Sequence, residues 1–568
     1  MNKIISKIKL NKIIIVVLLA FVLNSIGVLY AYPLLNLVED ETAIVSSVLK
    51  MIDSHSLRPN FDENYYLAPV TYIYLPFYLL YFAIFFLFGI VHSLVELKEM
   101  FLLDYANFKM ILPIARFVSI LAGSLSVYLV YKISKLLFKN NEKASLWAAF
   151  FTATNLILVQ LSHFGRIWII QTLAVLLATY YLSIMLSLKK DNLKHYLISG
   201  FLVALSFGTH LIGGIIYLCF LFVHYSLNKG KGFIGIFLKN KKFWLAHLVV
   251  FISTVFIYLL HPNSFYRYIG YYFKKEFISG YVSQSIVNSL IQSLSFTRNL
   301  EVLWEYGPLL VILFLISLPI LFLKERKVFY FIGIFIIFYY LAIGPFLKWG
   351  QVRYILPIIP FLAIVAGYGF SYLLEHIFVK NLRNSLAVIF CLLFLFTPLY
   401  WDLSLLKPNT YVLAKNWIES NLPGGEMIIN FELDNRLILN ENKESLILLS
   451  EFMPKSVSAR ERYLLTLDEK EYPQPNYFIL YRPEKMPENF LSQNQFNYLI
   501  TYWWTNQENE IAKEKISKLN YNLELIQRFY PNEVGIDLTD LVNEMRQPLQ
   551  LLKNIRYTGP YIEIYKIN

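Results

Sequence analysis

The run Lys12-Ile-Ile-Ile-Val-Val-Leu-Leu-Ala-Phe-Val-Leu-Asn-Ser-Ile-Gly-Val-Leu-Tyr-Ala-Tyr-Pro-Leu-Leu-Asn-Leu-Val-Glu-Asp-Glu41 decides the fold class. Lys3, Lys7, Lys9 and Lys12 come before an apolar stretch that lasts to about Leu29. Crossing a bilayer takes about 20 apolar residues, so this stretch reads as a retained first span rather than a cleaved leader. Three carboxylates follow, Glu39, Asp40 and Glu41, where the chain would first leave the hydrocarbon. Acid beside lipid is costly to desolvate, which makes the position a candidate for chemistry or ion handling.

The whole chain agrees with that opening. Of 568 residues 57% are hydrophobic and 16% charged, with a mean hydropathy of +0.50. Soluble domains carry about a quarter charged residues, so this composition indicates a membrane protein. The net charge of +12 sits in short clusters between apolar runs, which fits membrane topology and not a nucleic-acid-binding face. Cys219 and Cys391 both lie inside apolar runs, so no disulfide framework is expected.

Apolar stretches of spanning length recur at 13–31, 110–138, 145–162, 168–188, 195–212, 213–228, 243–261, 306–323, 328–347, 354–374 and 384–402. A further run, Tyr72 to Val91, is ambiguous, and charge decides it. If it does not cross, the clusters Lys3–Lys12, Lys132–Lys143, Lys189–Lys194, Lys229–Lys242, Lys324–Lys327 and Lys380 with Arg383 all face the cytoplasm. If it crosses, every later cluster is turned outward. Pro69, Pro76 and the tyrosines also suit a segment lying at the interface. The expectation is therefore an α-helical polytopic protein with eleven spans and a cytoplasmic N-terminus. Residues 32–109 become a first external loop with nine acids and four bases. From 403 to 568 the composition turns polar and reads as an extracytoplasmic α/β domain, which leaves 1–402 as the membrane module. In the outer domain Ser445–Leu449, Tyr477–Tyr481 and Tyr561–Lys566 look strand-like, while Val412–Asn421 and Gln507–Leu519 look helical.

Few residues are placed to do chemistry. Adjacent carboxylates could simply cap the helical run Thr42 to Ile52. Asp40 and Glu41, with Glu39 as a weaker partner, nevertheless open an amphipathic segment at the membrane surface, where a carboxylate can serve as general base. Several cations fall at outer helix ends: Arg116, His163, Arg166, His210, Lys348 and Arg353. Such residues often snorkel to the interface, but the positive-inside rule depletes them on this side. Gathered at one level, they suit an anionic phosphate group. The basic-aromatic stretch from His261 to Lys275 reads as a solvated loop, and Trp503-Trp504 as packing aromatics. No Gly-rich nucleotide loop or HExxH-type metal spacing is present in the sequence.

Taken in order, these pieces resemble the GT-C superfamily of polyprenyl-phosphate-sugar-dependent glycosyltransferases, in the branch of protein O-mannosyltransferases and the lipid A aminoarabinose transferase. The matching segments are Asp40-Glu41, Pro59, Pro69 to Phe77, the stretch opened by Arg116, and Ser162-His-Phe-Gly-Arg166. Arg353-Tyr354-Ile-Leu-Pro357-Ile-Ile-Pro360 and Ala414-Lys-Asn-Trp417-Ile follow, with Pro423-Gly-Gly after them. The resemblance covers about residues 12–425. It implies Asp40 as base with Glu41 beside it, and Arg353 on the donor phosphate.

Two departures stand out. Arg166 is followed by Ile-Trp-Ile-Ile-Gln171, without the acid the branch often carries there, and Leu67-Ala68-Pro69 replaces Glu-Lys-Pro. The resemblance thus implies sugar transfer from a polyprenyl-phosphate donor to a hydroxyl of a protein, lipid or glycan acceptor outside the membrane. Membrane lipids are the remaining partners and nucleic acid is not one. The cations facing a monophosphate leaving group make a cofactor unnecessary, although a divalent cation is compatible with the chemistry. A transporter or flippase of lipid-linked or anionic substrates is the alternative, and it leaves the outer domain without a task.

Overall fold

The computed structural model describes residues 12–34, 39–57, 68–232, 234–260, 294–343, 352–431, 437–486, 490–519, 521–532 and 555–568. The chain divides into two compact units. The first takes in Met1–Val28, Ala43–Leu79 and Ala115–Tyr400. The second takes in Leu29–Thr42, Leu80–Ile114 and Trp401–Asn568.

The first unit is helical. Each of the eleven expected stretches holds a helix. Among the described residues eight helices are long and apolar enough to cross a membrane, and ten spans result if each of two bent helix pairs counts as one. One such pair corrects the expectation of a continuous span over 145–162. Its two halves, Glu142–Ala153 and Leu156–Ser162, meet at 57°. The cause is local: Asn155 turns its side chain back to accept from the N–H groups of Ile157 and Leu158 at 3.0 and 3.3 Å, capping a new helix. The second pair bends by 109° at Gly307, with Pro308 starting the Pro308–Lys324 helix.

The ambiguous run Tyr72 to Val91 falls mostly within one helix. That helix, Ala68–Leu87, passes the same length and composition test as the spans. Pro69 falls in its first turn, where a missing N–H costs nothing, and Pro76 does not interrupt it.

Lipid offers no hydrophobic drive to bring helices together, so small residues at contacts carry the packing. The Ile359–Glu375 helix is buried along nearly its whole length. A Cβ on Gly367 would come within 2.5 Å of the Ala148 backbone nitrogen, and one on Gly369 within 2.0 Å of the Ser317 hydroxyl. By contrast, the Lys241–Leu259 and Lys380–Leu405 helices expose Phe251, Leu259, Leu392 and Phe396, as lipid-facing helices do.

The second unit is built on a five-stranded sheet in the order β2-β1-β3-β5-β4. The strands are β1 Met427–Asn430, β2 Phe478–Tyr481, β3 Tyr498–Trp503, β4 Leu523–Phe529 and β5 Tyr561–Ile567. β1 runs parallel to both β2 and β3, while β5 is antiparallel to β3 and β4. Ile429, Leu480 and Leu499 form the core on one face. Trp503 is buried in parallel stacking on Tyr561, with centroids 5.8 Å apart, as a packing aromatic should be. Ser445–Leu449 is not a strand. It lies in the Lys443–Phe452 helix, whose N-cap Asn442 accepts from the Ser445 N–H at 2.9 Å. A five-residue apolar run has no period of its own, and here the cap decides. Residues Leu80–Ile114 also belong to this unit. The Leu94–Leu103 helix meets Arg460, which donates to the Leu103 carbonyl at 3.2 Å and lies over the Tyr105 ring.

Candidate functional site

Arg116 stands near the start of the Leu112–Leu137 helix and is fully buried. A guanidinium inside an apolar module is expensive unless it is given acceptors. Its Nη1 donates to the Val28 carbonyl at 2.6 Å, and its plane lies over the Phe164 ring at 5.8 Å. His163 holds the same turn from the other side. One ring nitrogen is 2.8 Å from the Val159 carbonyl and the other 2.6 Å from that of Ile26. Both nitrogens are therefore engaged with backbone, and His163 ties the chain after the first helix to the Leu156–Ser162 helix.

The turn Phe164-Gly165-Arg166 is pressed against the Arg116 helix. A Cβ on Gly165 would sit 2.4 Å from Ala115 Cβ, so only glycine permits this approach. Arg166 is buried at the N-cap of the Ile167–Leu188 helix with extended backbone. Arginine has no acceptor atom, so no side chain caps this helix. The hydroxyl of Tyr74 fixes the turn by donating to the Arg166 carbonyl at 3.3 Å and pairing with Ser119 at 3.2 Å.

Two residues further on, Trp168 joins these cations to the others. His210 lies against its ring, centroids 4.9 Å apart, and Tyr354 meets it edge-on at 4.6 Å. The Arg353 guanidinium is 5.7 Å from the Trp168 ring centroid and 5.8 Å from that of Tyr354. Nδ1 of His210 accepts from the Ile212 N–H at 3.3 Å, so the neutral ring carries its proton on Nε2. Tyr354 lies in a 3-10 turn, Val352–Ile358, that begins the apolar span continuing through the Ile359–Glu375 helix.

Five of the six expected cations thus fall into two linked groups, Arg116 with His163 and Arg166, and His210 with Arg353. Lys348 lies outside the described residues, as does the His261–Lys275 stretch. The backbone of Asp40 belongs to the Glu39–Asp53 helix, but its side chain is not among those described. Glu41, on the same helix, is buried. Among the described residues no three His, Cys, Asp or Glu side chains gather closely enough to hold a metal ion.

Residues 112–261 match the family model described as dolichyl-phosphate-mannose-protein mannosyltransferase. The match spans 150 of the chain's 568 residues. It contains Arg116, His163, Arg166 and His210, while Arg353 lies beyond it. No curated protein sequence matches the chain. Among solved structures, an oligosaccharyltransferase AglB from Archaeoglobus fulgidus, in complex with an inhibitory peptide and a dolichol-phosphate, aligns at 13% identity with TM-score 0.45, covering 92% of this chain and 73% of that one. Apo ArnT from Cupriavidus metallidurans aligns at 11% identity with TM-score 0.43, covering 91% of this chain and 95% of that one.

Proposed function

We propose that this glycosyltransferase moves a sugar from a polyprenyl-phosphate donor to an acceptor hydroxyl at the outer face of the plasma membrane. The observation that supports this reading most is the coincidence of the matched segment with a buried set of cations. A leaving phosphate gains charge as the glycosidic bond breaks, and fixed cations in a water-poor site stabilise that charge. Arg116, His163, Arg166, His210 and Arg353, with Lys348 as a further one, are the candidates for holding the donor phosphate.

In this reading Asp40 takes the proton of the acceptor hydroxyl, with Glu41 beside it. The freed oxygen attacks the anomeric carbon from the face opposite the phosphate, so the configuration inverts and prenyl phosphate departs. The N-terminus is cytoplasmic, and the reaction and the sheet-bearing unit are extracytoplasmic, because that orientation puts the lysine clusters inside. The test uses membranes containing the full chain, a radiolabelled prenyl-phosphate sugar and an acceptor mixture. Release of prenyl phosphate that disappears in Asp40→Asn, with membrane insertion intact, supports the reading. Full activity of Asp40→Asn removes the base, and no donor cleavage by the wild type removes the transfer.

A further inference from the structure

We propose that the turn joining the Ile216–Asn228 and Lys241–Leu259 helices is a binding site for anionic phospholipid. Its lysines take the headgroup and an exposed apolar edge takes the acyl chains. The sugar-transfer reading leaves this turn unused, and the site stands or falls apart from that reading.

Residues 229–242 carry five lysines and no acid. Buried polar groups hold this turn in place. Its middle is one turn of π-helix, Ile234–Leu238, with Ile236 buried. The Ile236 carbonyl accepts from Nε2 of the buried His224 at 2.8 Å, and Nδ1 of that ring accepts from the Tyr196 hydroxyl at 2.7 Å. Asn228, also buried, closes the two ends. Its Oδ1 accepts from Lys231 Nζ at 2.7 Å and from Asn240 Nδ2 at 3.4 Å. Lys242 pairs with Asp191 at 3.2 Å. Lys229, Lys239 and Lys241 remain, all exposed and with no ion pair or side-chain hydrogen bond among the described residues.

Water alone could satisfy three ammonium groups, and the apolar edge beside them argues otherwise. Ile234 and Leu238, four residues apart, are each 57% exposed, and Trp244 is 52% exposed. The Trp244 indole N–H donates to the Leu238 carbonyl at 3.2 Å, which joins these side chains to the start of the Lys241–Leu259 helix. Leu248 and Phe251 continue the exposed apolar surface along that helix. A turn in water would hide such groups, whereas a turn at a bilayer edge immerses them and keeps its lysines among the headgroups. Ammonium groups only donate, and phosphate oxygens only accept. Asp191 is already paired with Lys242, and the turn has no carboxylate of its own for the cation of a zwitterionic headgroup. The charge balance therefore favours a lipid of net negative charge.

The experiment is displacement of fluorescent phosphatidylglycerol from the purified full chain in detergent, with phosphatidylglycerol, phosphatidylcholine and glycerol 3-phosphate as competitors. Phosphatidylglycerol should compete best. Each lysine beside an anionic headgroup is worth roughly fivefold in affinity. The triple variant Lys229→Gln, Lys239→Gln, Lys241→Gln should therefore bind phosphatidylglycerol at least about tenfold more weakly, allowing for incomplete additivity. A charge-matched control, Lys132→Gln, Lys380→Gln, Arg383→Gln, should stay within about threefold of wild type. Equal losses in the two triple variants would mean that only diffuse charge matters, and would overturn the site. Leu238→Ser should also weaken binding, and an unchanged affinity there overturns the apolar edge. Phosphatidylcholine competing as well as phosphatidylglycerol overturns the preference for net negative charge. Glycerol 3-phosphate competing as well overturns the assignment to a lipid. Should the first triple variant fail to fold, Lys241→Gln decides alone, a loss of about threefold or more supporting the site and no change overturning it. Donor cleavage, measured separately in membranes, bears on the transfer reading and not on this site.

Discussion

Replacing Gly165 by alanine tests whether the turn that carries Arg166 is held by backbone contact with the Arg116 helix. The added Cβ would lie 2.4 Å from Ala115 Cβ and 3.2 Å from its carbonyl carbon, whereas ordinary contact begins at 3.4 Å. The two segments must therefore separate by about 1 Å, and neither neighbour is a flexible side chain. Overpacking of this kind costs about 1–3 kcal/mol. A shift of that size at a positioned group lowers catalysis by on the order of 100-fold. Gly165→Ala should insert normally, lose thermal stability moderately, and lose donor cleavage far more severely. Ala115→Gly removes the Cβ with which the new methyl collides, at about 1 kcal/mol in helix propensity. The double variant should regain most of the lost cleavage, giving a coupling of at least ~1 kcal/mol by double-mutant cycle. Wild-type cleavage in Gly165→Ala, or a double variant no better than the worse single one, would refute the contact.

Other expectations follow from the same geometry. Arg353→Ala should raise the donor KM at least tenfold, while an uncharged competitor such as a prenyl alcohol binds as before; an unchanged KM detaches Arg353 from the phosphate. Asn442→Ala should lower the stability of the sheet-bearing unit by about 1 kcal/mol through loss of its N-cap, read as increased protease sensitivity of that unit. Glu325→Gln breaks the pair with Lys139, whose side chain is 79% exposed, and should change stability by less than about 0.5 kcal/mol in a detergent melt. If residues 32–109 stay external, as the lysine clusters require, Ser54→Cys and Leu94→Cys on either side of the Ala68–Leu87 helix should both react with an impermeant thiol reagent from outside. Labelling of only one would show that the helix crosses.

The membrane helices were legible because spanning length and apolarity are one-dimensional properties of a chain. The cations were legible for a similar reason, since an isolated charge at the end of an apolar run stands out. Where a single side chain redirects the backbone, that transparency fails. Asn155 breaks a stretch that reads as one span, and Asn442 makes a helix of Ser445–Leu449. The sheet was half visible: β2 and β5 alternate or cluster their apolar residues, but β1 has four residues and β4 is largely exposed. Trp168 was hidden for a different reason. In Ile-Trp-Ile-Ile-Gln it looks like any lipid-facing aromatic, and only the fold brings His210, Arg353 and Tyr354 to its ring. The one signal available was an arginine where a helix of this length usually begins with Ser, Asp or Asn.

The close seating of Gly367 on Ala148 and of Gly369 on Ser317 has a mechanical consequence. A column joined at main-chain distance to two neighbours cannot ratchet, tilt or slide without opening gaps that lipid cannot fill. The Ile359–Glu375 segment acts as a stator, and its amides should be among the slowest in the chain to exchange with deuterium. Movement in this unit must be sought elsewhere, and the Lys380–Leu405 helix, which exposes Leu392 and Phe396, is a place to look for it.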